Sequence, residues 1–466
     1  MTLAKPLPAN QVPGPKSHPI FGNLGDYRKD TLNFERRMAQ TYGDVVHLRF
    51  VERHGYLISH PDDIHKVLVQ EADKFQKAPI YRVLLTRFLG NGLLTSEGEF
   101  WKRQRKLAQP AFHAKRIQAY AETMVGYTYR LLDTWSEGQV RDVNQEMMRL
   151  TLSVVVKSLF NTEIGAEADR IGEALTTVLH ATTEGMQSPF MMLPEWVPLP
   201  RNIRNRRAVR QLDAIINRII EQRRASGEDT GDLLSMLLMA QDEDGNHMTD
   251  KQLRDEVVTL VLAGHETTAN ALTWTLYLLS QHPEVEARLH EEVDTVLGGR
   301  AATVADLRQL TYTDMVIKEA MRLYPPIPSI GRQAIVPVTL GGYELPAGAI
   351  ILISPYNLHH DPRWWPEPEK FLPERFSKEN EKSIGKYTYL PFGGGPRICI
   401  GNSFAEMEAV LVLATIAQRY RLRLDPPDQP VIPEPTLTLR PKHRLTMRLE
   451  AREPAYARRE NVAIPV

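Results

Sequence analysis

The sequence predicts a mainly α fold with small β-sheets, and three observations lead there. Apolar residues recur at helical spacing from about 62 to 325. Alternating, β-branched stretches appear only as short pieces near 45–59, 336–354 and 436–449. The composition, 42% hydrophobic and 24% charged over 466 residues, supplies a large core and excludes disorder or a coiled-coil fibre for the chain as a whole.

In chain order, residues 1–20 form a lead-in whose prolines (Pro6, Pro8, Pro13, Pro15, Pro19) are too dense for a regular element. Residues 45–50 and 56–59 alternate as strands do, with 51–55 turning between them, so a hairpin is expected. The helical body is punctuated at Pro79, at 90–92, 189–200 and 227–245, and at Gly298-Gly299. Strands return at 336–340 and 349–354, joined through Gly341, Gly342 and Gly348, and again within 436–449. No internal repeat is present, and the one proline-rich tract runs over 426–435.

The 57 basic and 57 acidic residues balance, so no whole-chain attraction to nucleic acid or an anionic membrane is expected. Cys399 is the single cysteine, which excludes an intramolecular disulfide and a cysteine-rich metal site. The N-terminus Met1-Thr2-Leu3-Ala4-Lys5-Pro6 lacks a signal peptide's apolar core. The longest apolar runs, such as 409–417, fall short of the roughly 18 residues of a spanning helix. A soluble, cytoplasmic protein with no membrane span is expected. Length alone suggests about three domains, but the motifs below tie distant segments into one site, so residues 1–466 are read as one domain.

The stretch Pro391-Phe392-Gly393-Gly394-Gly395-Pro396-Arg397-Ile398-Cys399-Ile400-Gly401 crowds glycine and proline around one aromatic ring, the composition of a turned loop. Ser403 and Glu406 then make a capping-box pattern ahead of an apolar stripe, Phe404, Met407, Leu411 and Ala414, so a helix is expected to start there. Cys399 would thus lie just before a helix N-terminus, where the dipole and unpaired amides favour a thiolate. Backbone N–H groups close to the sulfur would also tune a metal bound to it. Three roles stay open on these residues: a buried structural cysteine, a nucleophile and a metal-ligating thiolate. A nucleophile needs a histidine base, and none of the 14 histidines is singled out.

Phe392, Gly395, Arg397, Cys399 and Gly401 match the haem-binding signature F-x-x-G-x-R-x-C-x-G, and through it the chain resembles the cytochrome P450 family. The resemblance implies the cytochrome P450 fold, with haem b (iron protoporphyrin IX) between a long kinked helix and the cysteine loop. It also implies Cys399 as the axial ligand of the iron.

A second stretch, Ala263-Gly264-His265-Glu266-Thr267-Thr268, lies inside a helical segment over 257–279. Gly costs about 1 kcal/mol against Ala in a helix, and paired threonines are poor helix formers, so helix stability did not choose these residues. The Thr267 hydroxyl can bond back to the Ala263 carbonyl, and Gly264 can let the helix bulge around a ligand or water. A packing glycine with back-bonded threonines is the alternative. The stretch resembles the family's oxygen-binding motif A-G-x-[DE]-T. That implies Glu266 and Thr267 relaying protons to dioxygen, with Ala263 and Gly264 against the haem.

On the helix stopped by Pro325-Pro326, Tyr312, Met315, Val316, Ala320 and Leu323 define one face; Glu319 falls on it and Arg322 follows at i+3. Such pairs are common on exposed helices, but this one points inward. With Arg375 it resembles the family's structural charge triad, Glu319, Arg322 and Arg375. Trp101 and Arg105, four residues apart, share a helix face and can both donate to a carboxylate; a capping aromatic with solvated basic neighbours is the bland alternative. By resemblance both meet a haem propionate, as do Arg332 and Arg397. Lys102, Arg103, Arg105, Lys106, Lys115 and Arg116 cluster in a neutral chain, and the resemblance places an acidic ferredoxin or flavodoxin, fed by its reductase, on them.

These motifs run in family order over 101–401. They imply a haem-thiolate monooxygenase, monomeric and without a fused reductase domain, that takes electrons from separate partners and hydroxylates a hydrophobic substrate with O2. By resemblance Leu94, Ala263, Ile327 and Leu437 line an apolar pocket, and Met191, Met192 and Trp196 edge an access channel. A fatty acid is the first expectation for the substrate, with a terpenoid or steroid as the alternative. A haem-binding sensor or carrier without the proton relay and a cysteine hydrolase without haem are the readings from other classes.

Overall fold

The computed structural model describes residues 6–163, 167–187, 199–241 and 247–453, together with 197 and 245; Met191, Met192 and Trp196 lie outside the described residues. Long helices carry most of the chain and the sheets are small. Five helices place the site: α1 (Gly98–Ala108), α2 (Val143–Phe160), α3 (Asp250–Gln281), α4 (Thr311–Leu323) and α5 (Asn402–Arg419).

The 32-residue α3 is the organising element, about 48 Å long at helical rise. It starts earlier than its apolar pattern suggests because Thr249 and Gln252 form a capping box. The Thr249 amide donates to Gln252 Oε1 at 2.8 Å, and the Gln252 amide donates to Thr249 Oγ1 at 3.2 Å. It ends before Pro283, which cannot continue it. From Asp255 to Leu276 every residue is buried except Ala263, Gly264 and Thr267. An all-round buried helix packs on several neighbours at once, here α2, α4 and α5, and the one interruption marks an open face.

The principal sheet contains β1 (Val45–Phe50), β2 (Arg53–Ile58), β3 (Phe75–Lys77), β4 (Ile330–Ala334) and β5 (Ile350–Ile353), in the order β1-β2-β5-β4-β3. The expected hairpin is β1–β2, but its turn is only Val51-Glu52, with Val51 at φ +60°, so β2 begins at Arg53. β2 pairs with β5 in parallel, Leu57 opposite Leu352. β3 and β4 carry no strand signal of their own; antiparallel pairing makes them strands and sets Lys77 opposite Arg332. The strand expected at 336–340 shortens to Val338–Leu340 because Pro337 has no amide to donate, and the C-terminal stretch divides into Leu439–Pro441 and Thr446–Ala451.

Glu319 and Arg322 on α4 are wholly buried. Arg322 donates to both Glu319 oxygens, at 2.7 and 2.8 Å, and its remaining N–H groups reach the carbonyls of His359, Pro368 and Lys370 at 2.8 to 3.0 Å. Arg375 and the Leu372 amide also donate to Glu319, at 3.3 and 2.9 Å. The structure therefore brings Glu319, Arg322 and Arg375 together, and the cluster fastens α4 to the 359–375 segment. No helix among the described residues is long and apolar enough to cross a membrane.

Candidate active site

The cysteine loop is held by its own backbone. The Cys399 amide donates to the Phe392 carbonyl and the Ile398 amide to the Gly395 carbonyl, both at 3.0 Å. Gly395 sits at φ +68°, and a Cβ there would lie 1.8 Å from the Leu68 carbonyl oxygen, so neither the conformation nor the space admits a side chain. Helix α5 follows with Gly401 as its N-cap and no side-chain cap bond. The capping box expected from Ser403 and Glu406 does not form: the chain enters the helix at Asn402, which puts Ser403 inside the first turn. Glu406 instead lies near Asp314 and Lys318 of α4.

The thiol contradicts the simple helix-terminus expectation as well. Cys399 keeps exposed surface, yet the protein atoms packed around its sulfur push its pKa up, while the Gly401 amide and Arg105 pull the other way. Desolvation outweighs the amide field and pushes the sulfur toward the thiol, whereas a bound cation would favour the thiolate.

Beside this loop lies a cationic cluster. Arg397 donates to the Ser96 carbonyl at 2.9 Å, pairs with Glu97 and places its guanidinium 4.1 Å from the Trp101 ring centre. Arg105, one turn beyond Trp101 on α1, donates to the Ile398 carbonyl at 2.8 Å. Lys77 donates from its ammonium to the Leu94 carbonyl and from its amide to Glu97 at 2.8 Å. Burial, with Arg397 and Arg332 nearby, pushes Lys77 down to about 7 against the pull of Glu97. Lys77 and Arg397 thus share Glu97, and Arg332 lies near Lys77 across the strand pair, a basic surface that suits a further anion. Lys77 belongs to no motif; only the pairing of β3 with β4 brings it to Arg332.

On α3 the Thr267 hydroxyl donates to the Ala263 carbonyl at 2.7 Å. The helix continues unbroken through Gly264, without the bulge expected there. Gly264 is needed for packing: a Cβ there would lie 2.9 Å from Val155 Cγ2 of α2. Glu266 is buried and accepts from the Thr438 hydroxyl at 2.8 Å. Burial raises its pKa, opposed by Thr438 and Arg440. Successive helical residues point about 100° apart, so Glu266 faces the C-terminal segment while Thr267 lies on the open face.

Leu94, Ala263, Ile327 and Leu437 all keep accessible surface, and hydrogen bonds gather their segments on α3. The Leu93 amide donates to Glu256 at 2.9 Å, Thr438 bonds Glu266, and the Leu439 amide donates to the Pro326 carbonyl at 2.9 Å.

Residues 12–447 match the cytochrome P450 family model. The chain belongs to the cytochrome P450 family. It is 42% identical over 428 residues to the cyclooctatin synthase of Streptomyces melanosporofaciens, covering 91% of this chain and 92% of that relative. It is 38% identical to the cyclooctat-9-en-7-ol 5-monooxygenase of the same organism, over 90% of each chain. It is 34% identical to the pentalenene oxygenase of Streptomyces avermitilis, over 94% of this chain and 97% of that one. The cytochrome P450 is thus a monooxygenase of haem b, working on a hydrophobic substrate with O2 and redox partners. Its residues fit the cofactor: a thiol on a rigid loop suits the iron and, beside it, the basic side chains of Lys77, Arg397 and Arg332 suit the propionates.

Proposed function

We propose that this cytochrome P450 hydroxylates a terpenoid, and that the Cys399 thiolate would hold the haem iron. The observation that carries the site is the loop itself: the chain's only thiol stands on a turn closed by the Cys399–Phe392 bond, with Gly395 pressed on Leu68 and the Lys77, Arg332 and Arg397 cluster alongside. The relatives named for cyclooctatin, cyclooctat-9-en-7-ol and pentalenene favour a carbocyclic terpenoid over the fatty acid first expected.

When bound, the haem supplies reductive activation of dioxygen, favoured by thiolate donation. Lys77, Arg332, Arg397, Arg105 and Trp101 hold the propionates, and Phe392, Gly395 and Gly401 shape the loop around the sulfur. Leu94, Ala263, Ile327 and Leu437 orient the substrate and exclude water through apolar surface. Thr267 gives its own proton to the Ala263 carbonyl, which leaves its oxygen lone pairs to hold a water on the open face. Glu266, kept protonated more readily by burial, stores a proton and delivers it once its side chain leaves Thr438.

Electrons enter from the other side of the cysteine loop. A cleft of about 350 Å3 is lined by Trp101, Lys102, Arg105, Lys106 and His113, and Arg105 bonds the residue before Cys399. This basic surface suits an acidic ferredoxin or flavodoxin. Arg116 is tied to the Gly231 carbonyl and keeps its charge, and the side chain of Lys115 lies outside the described residues.

The test is Cys399→Ser. The reduced CO complex of the wild type should show the red-shifted Soret band of thiolate ligation, and the variant should lose it; a retained band overturns the assignment. Titration with pentalenene should shift the haem spin state and a saturated fatty acid should not. The opposite pattern returns the substrate to the fatty acids.

A further inference from the structure

The loop that joins helix Pro79–Leu89 to α1 is fastened to α3 by two carboxylates. The Asn91 amide donates to Asp255 Oδ2 at 2.8 Å and the Leu93 amide to Glu256 Oε2 at 2.9 Å. The fit is backbone against helix. A Cβ at Gly90 would lie 2.1 Å from the Asp255 carboxylate, and one at Gly92 would lie 2.3 Å from Thr259 Oγ1 and 2.6 Å from the Asp255 carbonyl. The Thr95 hydroxyl closes the loop on the Gly90 carbonyl at 2.8 Å. Leu93, Thr95 and Ser96 are buried, which leaves Leu94 projecting between them.

The two carboxylates differ. Asp255 is compensated by Lys251 at 2.8 Å and Arg254 at 3.0 Å. Glu256 is 1% exposed and, among the described residues, it meets no cation in an ion pair and its Oε1 has no hydrogen-bond partner. Burial and the neighbouring Asp255 push it up to about 7. Such a group costs stability, so stability did not select it. Its one bond is to Leu93. Seven residues on, Ala263 lies on the same helix face, about 10 Å along the axis.

We propose that Glu256, with Asp255 and the Gly90/Gly92 seat, is a positioning residue that holds Leu94 over the Ala263 face and so sets the room a substrate has beside the haem. This rests on the reading that Leu94 lines the substrate pocket. Glu256 touches no reacting atom; it acts through the loop.

Two haem-binding azoles test it: imidazole, too small to reach Leu94, and 4-phenylimidazole. Glu256→Ala should weaken 4-phenylimidazole about tenfold, the equivalent of about 1.4 kcal/mol of lost apolar cover, and imidazole less than about twofold. Glu256→Gln, which keeps an acceptor for the Leu93 amide, should stay within about twofold of wild type for both. Glu256→Ala should add nothing in a Leu94→Ala background, because both remove the same contact. Equal losses for the two azoles, or additivity with Leu94→Ala, overturn the proposal. Should Glu256→Ala fail to retain haem, Gly92→Ala displaces the same segment sterically and is judged by the same criteria. A wild type showing no azole-induced Soret shift would instead count against the haem reading beneath it.

Discussion

Replacing Glu319 with glutamine isolates the charge at the centre of the buried cluster while keeping the side chain's shape. Four donors converge on that carboxylate: two N–H groups of Arg322, one of Arg375 and the Leu372 amide. Glutamine offers one acceptor oxygen and turns an amino group toward a guanidinium. Breaking a buried ion pair by altering one partner costs about 3 to 5 kcal/mol. Arg322 retains three carbonyl acceptors, which points to the lower end, about 3 kcal/mol. With a denaturant slope of about 5 kcal/mol per molar urea for a chain well beyond small-protein size, the unfolding midpoint followed by far-UV circular dichroism should fall by about 0.6 M. Arg375→Gln removes the longer 3.3 Å contact to Glu319 and the 2.8 Å bond to the Glu367 carbonyl but leaves the Arg322–Glu319 pair in place, so it should cost less, about 1 to 2 kcal/mol. A Glu319→Gln shift under about 0.3 M, or one matched by Arg375→Gln, refutes the reasoning.

Gly395→Ala forces a Cβ to within 1.8 Å of the Leu68 carbonyl at a left-handed φ, so the haem-to-protein absorbance ratio of the purified variant should drop severalfold. Gly394→Ala, whose Cβ meets only side-chain atoms, the Tyr387 ring at 3.3 Å and Leu68 Cδ1 at 3.6 Å, should keep most of its haem. Gly264→Ala should cost about 1 to 3 kcal/mol by overpacking Val155, and the double variant with Val155→Ala should recover part of it in the same urea assay. Glu35, fully buried, is pushed up to about 7 by burial. The folded state therefore keeps a proton that the unfolded chain releases above its ordinary value near 4.5. This contribution, about 3 kcal/mol in full, is present at acid pH and lost as pH rises toward 7. Glu256, Glu266 and Glu408 carry the same sign, so Glu35→Gln should shrink the decline in urea midpoint between about pH 5 and about pH 8 without abolishing it.

By itself, the sequence determined the chemistry-bearing stretches and their local form. The glycine run before Cys399, the Ala263 to Thr268 stretch and the inward phase of Glu319 are all local patterns, set by backbone freedom and helical period, and they point to one family. Tertiary structure decided what those patterns face. Whether Gly264 opens a bulge or admits a neighbour depended on Val155, more than a hundred residues away in sequence. Whether Glu266 points at Thr267 or away depended on Thr438. Lys77 was invisible because its significance lies in a cross-strand pairing with Arg332, and the upward push of burial on the Cys399 sulfur was invisible too, because desolvation by surrounding atoms has no signature in local sequence. Propensity, period and turn chemistry act over a few residues and can be read from the chain; packing, desolvation and charge pairing join residues distant in sequence, and only the folded arrangement discloses them.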